Sequence, residues 1–280
     1  MSGSQTEPRL PVTVVIPVKN EEDNLPACLD SLNCFQSIIV VDSNSEDRTV
    51  EIALSTGAEV INFEWDGRFP KKRNWILRSY KFATPWVLFL DADEVVDKSF
   101  CVELAANLAK DQCNGFWLNY TNYFMGKRLN RGVPQRKLAC FKIGAGEYER
   151  IEEDEWSSLD MEVHEHPVLQ GTVGEIKAPI DHRDFRGLAR FLQRHIDYAK
   201  WEASRYMQLR PELEQKSADL TDRQSFKYNN IEKFWFAWFY FFYTYLGKLG
   251  ILDGRAGYQY ASYKKWYFQT VRNIILEQSG

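Results

Sequence analysis

Apolar runs alternate with polar, helix-like segments along the first 95 residues of the chain. The runs at residues 12–17, 37–42 and 86–90 are largely apolar, which is typical of strands buried on both faces, and residues 58–63 predict a short third strand. Between them, Leu25, Leu29 and Leu32 fall at helical spacing, and polar cap-like residues at 43–49 and 71–74 mark further helix starts. This alternation predicts an α/β fold with a doubly wound sheet.

The fourth run, Trp86–Glu94 (WVLFLDADE), leads directly into three carboxylates. Asp91 and Asp93 are two residues apart, so in an extended segment their side chains point the same way. Open α/β sheets bind ligands outside the carboxyl ends of their strands. Two hard oxygen ligands there predict a divalent metal, Mn²⁺ or Mg²⁺, shared with a phosphate-bearing ligand. The alternative is that Asp91 caps a helix and the other two acids are solvated.

Polar residues at the other strand ends predict a nucleotide crevice. Asp42 ends the second strand and can accept a hydrogen bond from a base or a ribose. Lys72 and Arg73 precede a helix and can face the base or the phosphates. The first strand is followed by PVKNEE, without a G-x-G-x-x-G or a P-loop, so the site is built from acids and not from glycines.

Three segments together resemble the inverting family-2 glycosyltransferases of the GT-A fold. They are VTVVIPVKNEEDNLPACLDSL, IIVVDSNSEDRTVEIA and WVLFLDADE, in this order and spacing. The resemblance implies a D-x-D, Asp91 to Asp93, that holds the metal on the diphosphate of a nucleotide-sugar. The nucleotide-binding residues that follow from the pattern and the resemblance are Pro17, Lys19, Asn20, Glu21, Asp42, Lys72, Arg73, Asp91 and Ala92.

One segment departs from the common family pattern. Many members end a glycine-rich stretch in Arg-x-Asn-x-Gly, whereas this chain reads FPKKRNW, with Trp75 after Asn74. With the later VHE, it is more similar to the subset that acts on lipopolysaccharide core and other cell-envelope glycans. The resemblance therefore implies a membrane-associated or lipid-linked glycan acceptor.

The second half of the chain supplies candidates for the base and for acceptor contacts. In the segment MEVHEHP, His164 is a candidate third metal ligand, and Glu165 is the candidate base that deprotonates the acceptor hydroxyl. Asp160 is the second candidate base. The alternative is a strand end whose histidine caps a carbonyl. Arg136, in a segment with other arginines, and His182, after a short strand, are candidate acceptor or phosphate contacts.

The composition of the chain narrows its possible binding partners and its cellular location. The net charge is −4, so no basic field indicates nucleic acid. The five cysteines are scattered without a C-x-x-C pair, which predicts a reducing cytosol, unpaired thiols and no zinc site. The N-terminal segment lacks the apolar core of a signal peptide, and no apolar stretch reaches the roughly 20 residues of a membrane span.

The C-terminal part is rich in aromatic residues. Residues 234–247 carry no charge and lie between Lys233 and Lys248, which predicts interfacial helices on the inner leaflet of the membrane. The alternative is a helix buried against the domain or in a homo-oligomer. The predicted domains are a catalytic domain at 1–222, with a nucleotide-binding half near 10–97 and an acceptor half near 98–222, and a membrane-associating or assembly region at 223–280.

These observations predict a metal-dependent inverting glycosyltransferase that acts in cell-envelope polysaccharide or lipopolysaccharide synthesis. We expect a UDP-sugar donor and a protein that is cytoplasmic and peripheral on the inner membrane. Two other functions stay open at this point. DADEVV also fits the nucleophile loop of haloacid-dehalogenase-type phosphatases, and a GT-A-fold membrane adaptor without activity would share the same pattern.

Overall fold

The computed structural model describes residues 9–151, 160, 166–183, 187–215 and 220–279. Within these residues the chain divides into two compact units. The first comprises residues 9–121, 135–151, 160 and 166–183, and the second comprises 122–134, 187–215 and 220–279. The predicted domain boundary near residue 222 stays a prediction.

The strands and helices follow the predicted alternation. The strands are β1 (Leu10–Val18), β2 (Phe35–Asp42), β3 (Glu59–Asn62), β4 (Trp86–Phe89), β5 (Glu94–Val95), β6 (Gly115–Phe124), β7 (Lys127–Leu129), β8 (Gln135–Lys142), β9 (Gly146–Tyr148), β10 (Pro167–Leu169) and β11 (Val173–His182). The helices are α1 (Leu25–Asp30), α2 (Thr49–Ser55), α3 (Lys72–Ser79), α4 (Lys98–Lys110), α5 (Leu188–Glu214), α6 (Asp222–Tyr228), α7 (Phe236–Phe242) and α8 (Gly254–Ser279).

The first unit is built on one mixed sheet in the order β3-β2-β1-β4-β8-β6-β11-β5. The strands β3, β2, β1 and β4 are parallel, β8 is antiparallel to both β4 and β6, and β11 runs parallel to β6. Side chains of β1 and β4 are buried on both faces, as their continuous apolar sequences require. The predicted α/β fold with a doubly wound mixed sheet is confirmed.

The register of the parallel strands places the predicted polar residues at one edge of the sheet. Val18 of β1 lies opposite Asp42 of β2, and Val15 lies opposite Phe89 of β4. The main-chain N–H of Leu90 donates to the carbonyl of Val15 (3.1 Å), which extends this pairing towards Asp91. The loops after β1, β2 and β4 therefore leave the sheet side by side.

Two local predictions differ from the structure. Helix α1 ends at Asp30, before Leu32, because the main-chain N–H and the hydroxyl of Ser31 both donate to the carbonyl of Cys28. Leu32 is nevertheless fully buried, in the turn that follows. The prediction of unpaired thiols is wrong for Cys34 and Cys101, which form a disulfide between residues far apart in sequence.

The second unit contains the aromatic C-terminal helices. Helix α7 continues into a π-helical turn (Tyr243–Gly247) and a 3₁₀ turn (Gly250–Asp253) before α8 begins. Phe236 and Tyr240 of α7 pack against Phe268 of α8, with ring centroids 5.2 and 4.1 Å apart. This confirms the predicted C-terminal aromatic helical region. In the part of the chain that the structure describes, no helix has the length and apolar character needed to cross a bilayer.

Candidate active site at the carboxyl ends of the strands

Asp91 is the first acid after β4, and both of its carboxylate oxygens accept hydrogen bonds from cations. Arg73 Nη2 donates to Oδ1 (2.9 Å), and Lys137 Nζ donates to Oδ2 (2.5 Å). Burial opposes the ionised form, but the charges of Lys137 and Arg73 outweigh it and hold the pKa of Asp91 well below its usual range. Asp91 is therefore ionised at neutral pH, and Arg73 and Lys137 hold its carboxylate in place.

Asp93 has a different neighbour, His182 of β11. His182 Nε2 lies 3.4 Å from Asp93 Oδ1, and the antiparallel pairing of β11 with β5 brings it there by aligning His182 with Glu94. Burial opposes a charge on the imidazole, but the hydrogen bond to Asp93 and the carboxylates of Asp93 and Glu94 prevail and raise the pKa of His182. His182, a candidate acceptor or phosphate contact from the sequence, therefore lies beside the second acid of the D-x-D.

Glu94 and Lys137 complete this cluster. Glu94 is fully buried, its Oε2 accepts from the main-chain N–H of Asp91 (3.1 Å), and its Oε1 accepts from Lys137 Nζ (2.5 Å). Burial, together with the negative charge of Asp91, raises the pKa of Glu94 to about 7 despite the nearby ammonium of Lys137. The same two acids raise the pKa of Lys137 well above its usual value, against the effect of its burial.

Sequence reasoning selected Arg136 and missed its neighbour Lys137. Adjacent residues of a strand point to opposite faces of the sheet. Lys137 reaches Asp91, whereas Arg136 is exposed and pairs with Glu175 of β11 (3.1 Å). Alternation along β8 separates the two residues, but only the register of β8 against its neighbours decides which of them faces the acids.

A second polar corner forms where β1 and β2 end. Asp42 is buried and accepts from the main-chain N–H and the hydroxyl of Ser45. Lys72 Nζ donates to the carbonyl of Val18 (3.1 Å) and forms an ion pair with Asp160 Oδ2 (3.3 Å). These contacts link the end of β1, the start of α3 and Asp160.

Asp160, the second candidate base, is bound at this corner. Besides the ion pair with Lys72, its Oδ2 accepts from the hydroxyl of Ser43 (2.6 Å). Burial opposes ionisation, but Lys72 and Ser43 outweigh it and lower the pKa of Asp160. Asp160 is consequently an ionised residue of the β2 corner and a weaker proton acceptor than an unpaired carboxylate.

The loop after β1 is fixed to the loop after β2. Asn20 has a left-handed backbone (φ +55°), its main-chain N–H donates to Ser45 Oγ (2.8 Å), and its side-chain oxygen accepts from the N–H of Glu46 (2.8 Å). The N–H of Glu21 donates to Thr49 Oγ1 (2.8 Å). Pro17 is buried in β1, Ala92 is buried beside the two acids, and Lys19 is exposed at the rim.

The structure thus brings Arg73, Asp91, Asp93 and His182 into one cluster, and Asp42, Lys72 and Asp160 into another. His164 and Glu165, the predicted third metal ligand and base, lie outside the described residues. Arg136 is on the other side of β8. The roles of all these residues stay predictions.

The carboxylate side chains of this site are suitable ligands for the predicted metal ion. Within the described residues there is no group of three or more His, Cys, Asp and Glu side chains arranged to hold a metal. A cation that sits on a nucleotide diphosphate needs only one or two protein carboxylates, because the phosphates supply further oxygens. Asp93, whose partner His182 can release its proton, suits this role better than Asp91, which is bound to two fixed cations.

Comparison with known proteins gives matches in sequence. The family model for glycosyl transferase family 2 matches residues 13–164. The lipopolysaccharide core biosynthesis glycosyltransferase LpsC of Rhizobium meliloti is 31% identical over 182 residues, covering 61% of this chain and 62% of that protein. The 4,4'-diaponeurosporenoate glycosyltransferase of Staphylococcus haemolyticus is 34% identical over 116 residues, covering 37% of this chain and 30% of that protein. The chain thus spans less than two thirds of these relatives.

Solved structures also match parts of the chain. Glucosyl-3-phosphoglycerate synthase from Mycobacterium tuberculosis, in complex with Mn²⁺, UDP and glucosyl-3-phosphoglycerate, is 26% identical and has a TM-score of 0.32, covering 41% of this chain and 44% of that one. The 1–349 fragment of S. aureus TarS is 15% identical and has a TM-score of 0.45, covering 96% of this chain and 92% of that one.

Proposed function

The chain belongs to glycosyl transferase family 2, and from this premise we propose that it transfers a sugar from a UDP-sugar to a membrane-associated glycan with inversion at the anomeric carbon. One observation carries the proposal. Asp91 pairs with Arg73 and Lys137 at the end of β4, and Asp93 pairs with His182, so acidic and cationic side chains suited to a metal-bound diphosphate lie within one site.

The donor side of the proposed reaction uses both polar corners. The buried acid Asp42 accepts a hydrogen bond from the uracil or the ribose, since it lies at the end of β2 beside the loops that follow β1 and β2. Arg73 and Lys137 place positive charge next to Asp91, where the diphosphate is proposed to bind. A divalent cation held through Asp93 would neutralise charge on the leaving diphosphate.

The acceptor side needs a base. We assign this role to Glu165, which takes the proton of the acceptor hydroxyl while the acceptor oxygen forms a bond to the anomeric carbon. The bond between that carbon and the diphosphate oxygen breaks in the same step, and its electron pair leaves with the nucleotide diphosphate. Asp160 is the second candidate, with the disadvantage of its ion pair with Lys72.

A glycan of the cell envelope is the proposed acceptor. Its support is the similarity of the chain to LpsC, the lipopolysaccharide core biosynthesis glycosyltransferase of Rhizobium meliloti. The FPKKRNW segment of this chain points to the same class of acceptor.

The second unit is proposed to bind the membrane through an exposed aromatic stripe, which we define as Phe234, Trp238, Phe242 and Leu246. Trp238, Phe242 and Leu246 recur every four positions along α7 and its π-helical extension, Phe234 lies in the turn before α7, and all four are exposed. Lys265 Nζ lies 3.3 Å from the ring centroid of Trp238. Exposed aromatic rings with adjacent lysines fit an interface that contains anionic lipid.

The phosphatase alternative is not favoured. A nucleophilic aspartate needs an oxygen that can attack phosphorus, whereas both oxygens of Asp91 accept hydrogen bonds from cations. The acid also follows the fourth strand of the chain and not the first. The acids and cations of the cluster likewise argue against a non-catalytic adaptor, because an adaptor does not need them.

The test is isothermal titration of the full chain with UDP-, GDP- and dTDP-sugars, with Mn²⁺ and with EDTA, followed by NMR of the transfer product. We expect UDP-sugars to bind most tightly, Mn²⁺ to strengthen binding, and the transferred sugar to have the opposite anomeric configuration. Release of phosphate from simple phosphoesters without any nucleotide-sugar binding would overturn the proposal. Retained anomeric configuration would overturn the inverting mechanism alone.

A further inference from the structure

Lys137 donates hydrogen bonds to two acids of the site, and its ammonium group can donate one more. Its Nζ lies 2.5 Å from Asp91 Oδ2 and 2.5 Å from Glu94 Oε1. An ammonium carries three donors. Among the residues that the structure describes, two of these have acceptors and the third has none.

The surroundings of Lys137 point to a ligand with oxygen atoms. The side chain of Lys137 is 30% exposed, so a ligand can reach it, whereas Glu94 beneath it is closed off. The ammonium lies 5.0 Å from the ring centroid of Tyr120. The hydroxyl of Tyr120 is buried and, within the described part of the chain, has no hydrogen-bond partner. Buried polar groups of this kind are normally satisfied by water or by a ligand.

The charges of the cluster indicate which kind of ligand would bind there. Asp91 has one cation on each oxygen, so a metal ion can bind Asp91 only by displacing Arg73 or Lys137. A positive charge is therefore already fixed by the chain at the D-x-D before any metal binds. Charge-assisted hydrogen bonds from such a cation are well suited to phosphate oxygens.

We infer that Lys137 binds the diphosphate of the donor nucleotide directly, so that part of the donor affinity needs no divalent cation. This inference rests on the proposed nucleotide-sugar transfer. In it, Arg73 and Glu94 hold the ammonium and Asp91 in place, Lys137 contacts the phosphates with its remaining donor, and the Tyr120 hydroxyl lies beside the same ligand.

The experiment compares nucleotide diphosphate affinity with and without metal in variants of the full chain. Titrations use the best binder among UDP, GDP and dTDP, in EDTA and in saturating Mn²⁺. For Lys137→Met we expect about a 10- to 100-fold loss of affinity in EDTA, the range of a lost charge-assisted hydrogen bond, and less than about threefold in Mn²⁺. Lys137→Arg, which keeps the charge, should retain most of the binding in EDTA.

Two variants serve as controls. Lys142→Met removes a lysine from the same strand that pairs with Asp111 outside the site, and it should change neither affinity. Lys137→Met leaves the buried Glu94 without its cation, so Lys137→Met/Glu94→Gln, which removes both charges, is measured alongside it with a thermal melt. It should show the same loss of affinity in EDTA.

The outcomes separate this inference from the proposed function. Unchanged affinity of folded Lys137→Met in EDTA, or an equal loss with and without Mn²⁺, would overturn the role of Lys137 and leave the transferase proposal standing. Wild-type protein that binds no nucleotide diphosphate under any condition would overturn both. Wild-type binding that disappears completely in EDTA would overturn the metal-independent contribution.

Discussion

Asp91 and Asp93 are two residues apart, and the surrounding side chains give them different properties. Asp91 is held between Arg73 and Lys137, and its lowered pKa keeps it ionised. Asp93 lies against His182, which can gain or lose a proton. This difference suggests that Asp91 positions the cations of the site and that Asp93 is the acid that binds a metal.

We expect Asp93→Asn to abolish turnover and to weaken Mn²⁺-dependent UDP binding. Loss of one charged ligand should remove several kcal/mol of leaving-group stabilisation. Turnover at saturating metal and UDP titration with and without Mn²⁺ are the measurements. Asp111→Asn is the matched control, because Asp111 lies outside the cluster in a left-handed conformation that asparagine accepts. Near wild-type turnover of Asp93→Asn would show that the metal assignment is wrong.

The two candidate bases should separate in steady-state kinetics. Glu165→Gln should leave donor binding nearly intact while lowering kcat by about 10²–10⁴-fold, the usual range for lost general-base catalysis. Asp160→Asn should instead weaken donor binding, because it breaks the contacts of Asp160 with Lys72 and Ser43. If Asp160→Asn lowered only kcat and Glu165→Gln lowered only UDP affinity, the base would be Asp160.

At the scale of secondary structure, the sequence predicted the elements well and their cross-strand partners poorly. The apolar runs of β1, β2 and β4 predict these strands well, because a strand that is buried on both faces of a sheet has a nearly continuous apolar sequence. The choice between Arg136 and Lys137 depends on the register of β8 against β4 and β6, and the Cys34–Cys101 pair depends on the tertiary fold. Contacts between residues distant in sequence leave no local pattern.

Asp97 is the N-cap of α4, a helix that contributes side chains to the core of the first unit. Its Oδ1 accepts from the N–H of Phe100 (2.8 Å) and the hydroxyl of Ser99 (2.6 Å), capping α4, which buries Phe100 and Leu104. We expect Asp97→Ala to lower the free energy of unfolding by about 1 kcal/mol, and Asp97→Asn to lose much less, since asparagine also caps helices. Denaturant unfolding monitored by circular dichroism measures both.

The effect of this cap should depend on pH in a defined direction. The hydrogen bonds from Ser99 and Phe100 lower the pKa of Asp97 in the folded protein. A carboxylate with a depressed folded-state pKa stabilises the fold above its unfolded pKa, near 3.9, and loses this contribution as the pH falls through the lower folded value. The difference in unfolding free energy between wild type and Asp97→Ala should therefore shrink below about pH 4. A difference that grows on acidification would contradict the capping role.

At the scale of the whole molecule, charge and apolar surface are unevenly distributed. The chain has a net charge of −4, which opposes its approach to an anionic bilayer. The second unit nevertheless places lysines over aromatic rings, with Lys248 Nζ 5.4 Å from the Tyr243 centroid in addition to Lys265 on Trp238. The aromatic run that the sequence showed therefore has two roles, because Phe236 and Ala237 are core residues while the aromatic stripe is exposed.

The last prediction is that the aromatic stripe binds vesicles that contain anionic lipid. Phe234, Phe242 and Leu246 of this stripe are 74%, 51% and 52% exposed, so replacing them with serine should leave the core of the second unit intact. We expect the triple variant to bind anionic vesicles at least about tenfold more weakly in co-sedimentation, since buried apolar side chains contribute about 1.5–3 kcal/mol each. Binding by the wild type should weaken at high salt without vanishing, because apolar burial is not screened.

A matched variant makes the test of this surface specific. Leu54 and Val102 of the first unit are exposed to a similar degree, at 58% and 59%, and their replacement by serine should leave vesicle binding unchanged. Sedimentation equilibrium of the same proteins tests the competing interpretation, in which the stripe joins two copies of the chain. Negligible vesicle binding by the wild type, with a dimer that only the triple variant dissociates, would assign the stripe to assembly. An equal loss of vesicle binding in both variants would show that exposed apolar surface, and not this stripe, drives the adsorption.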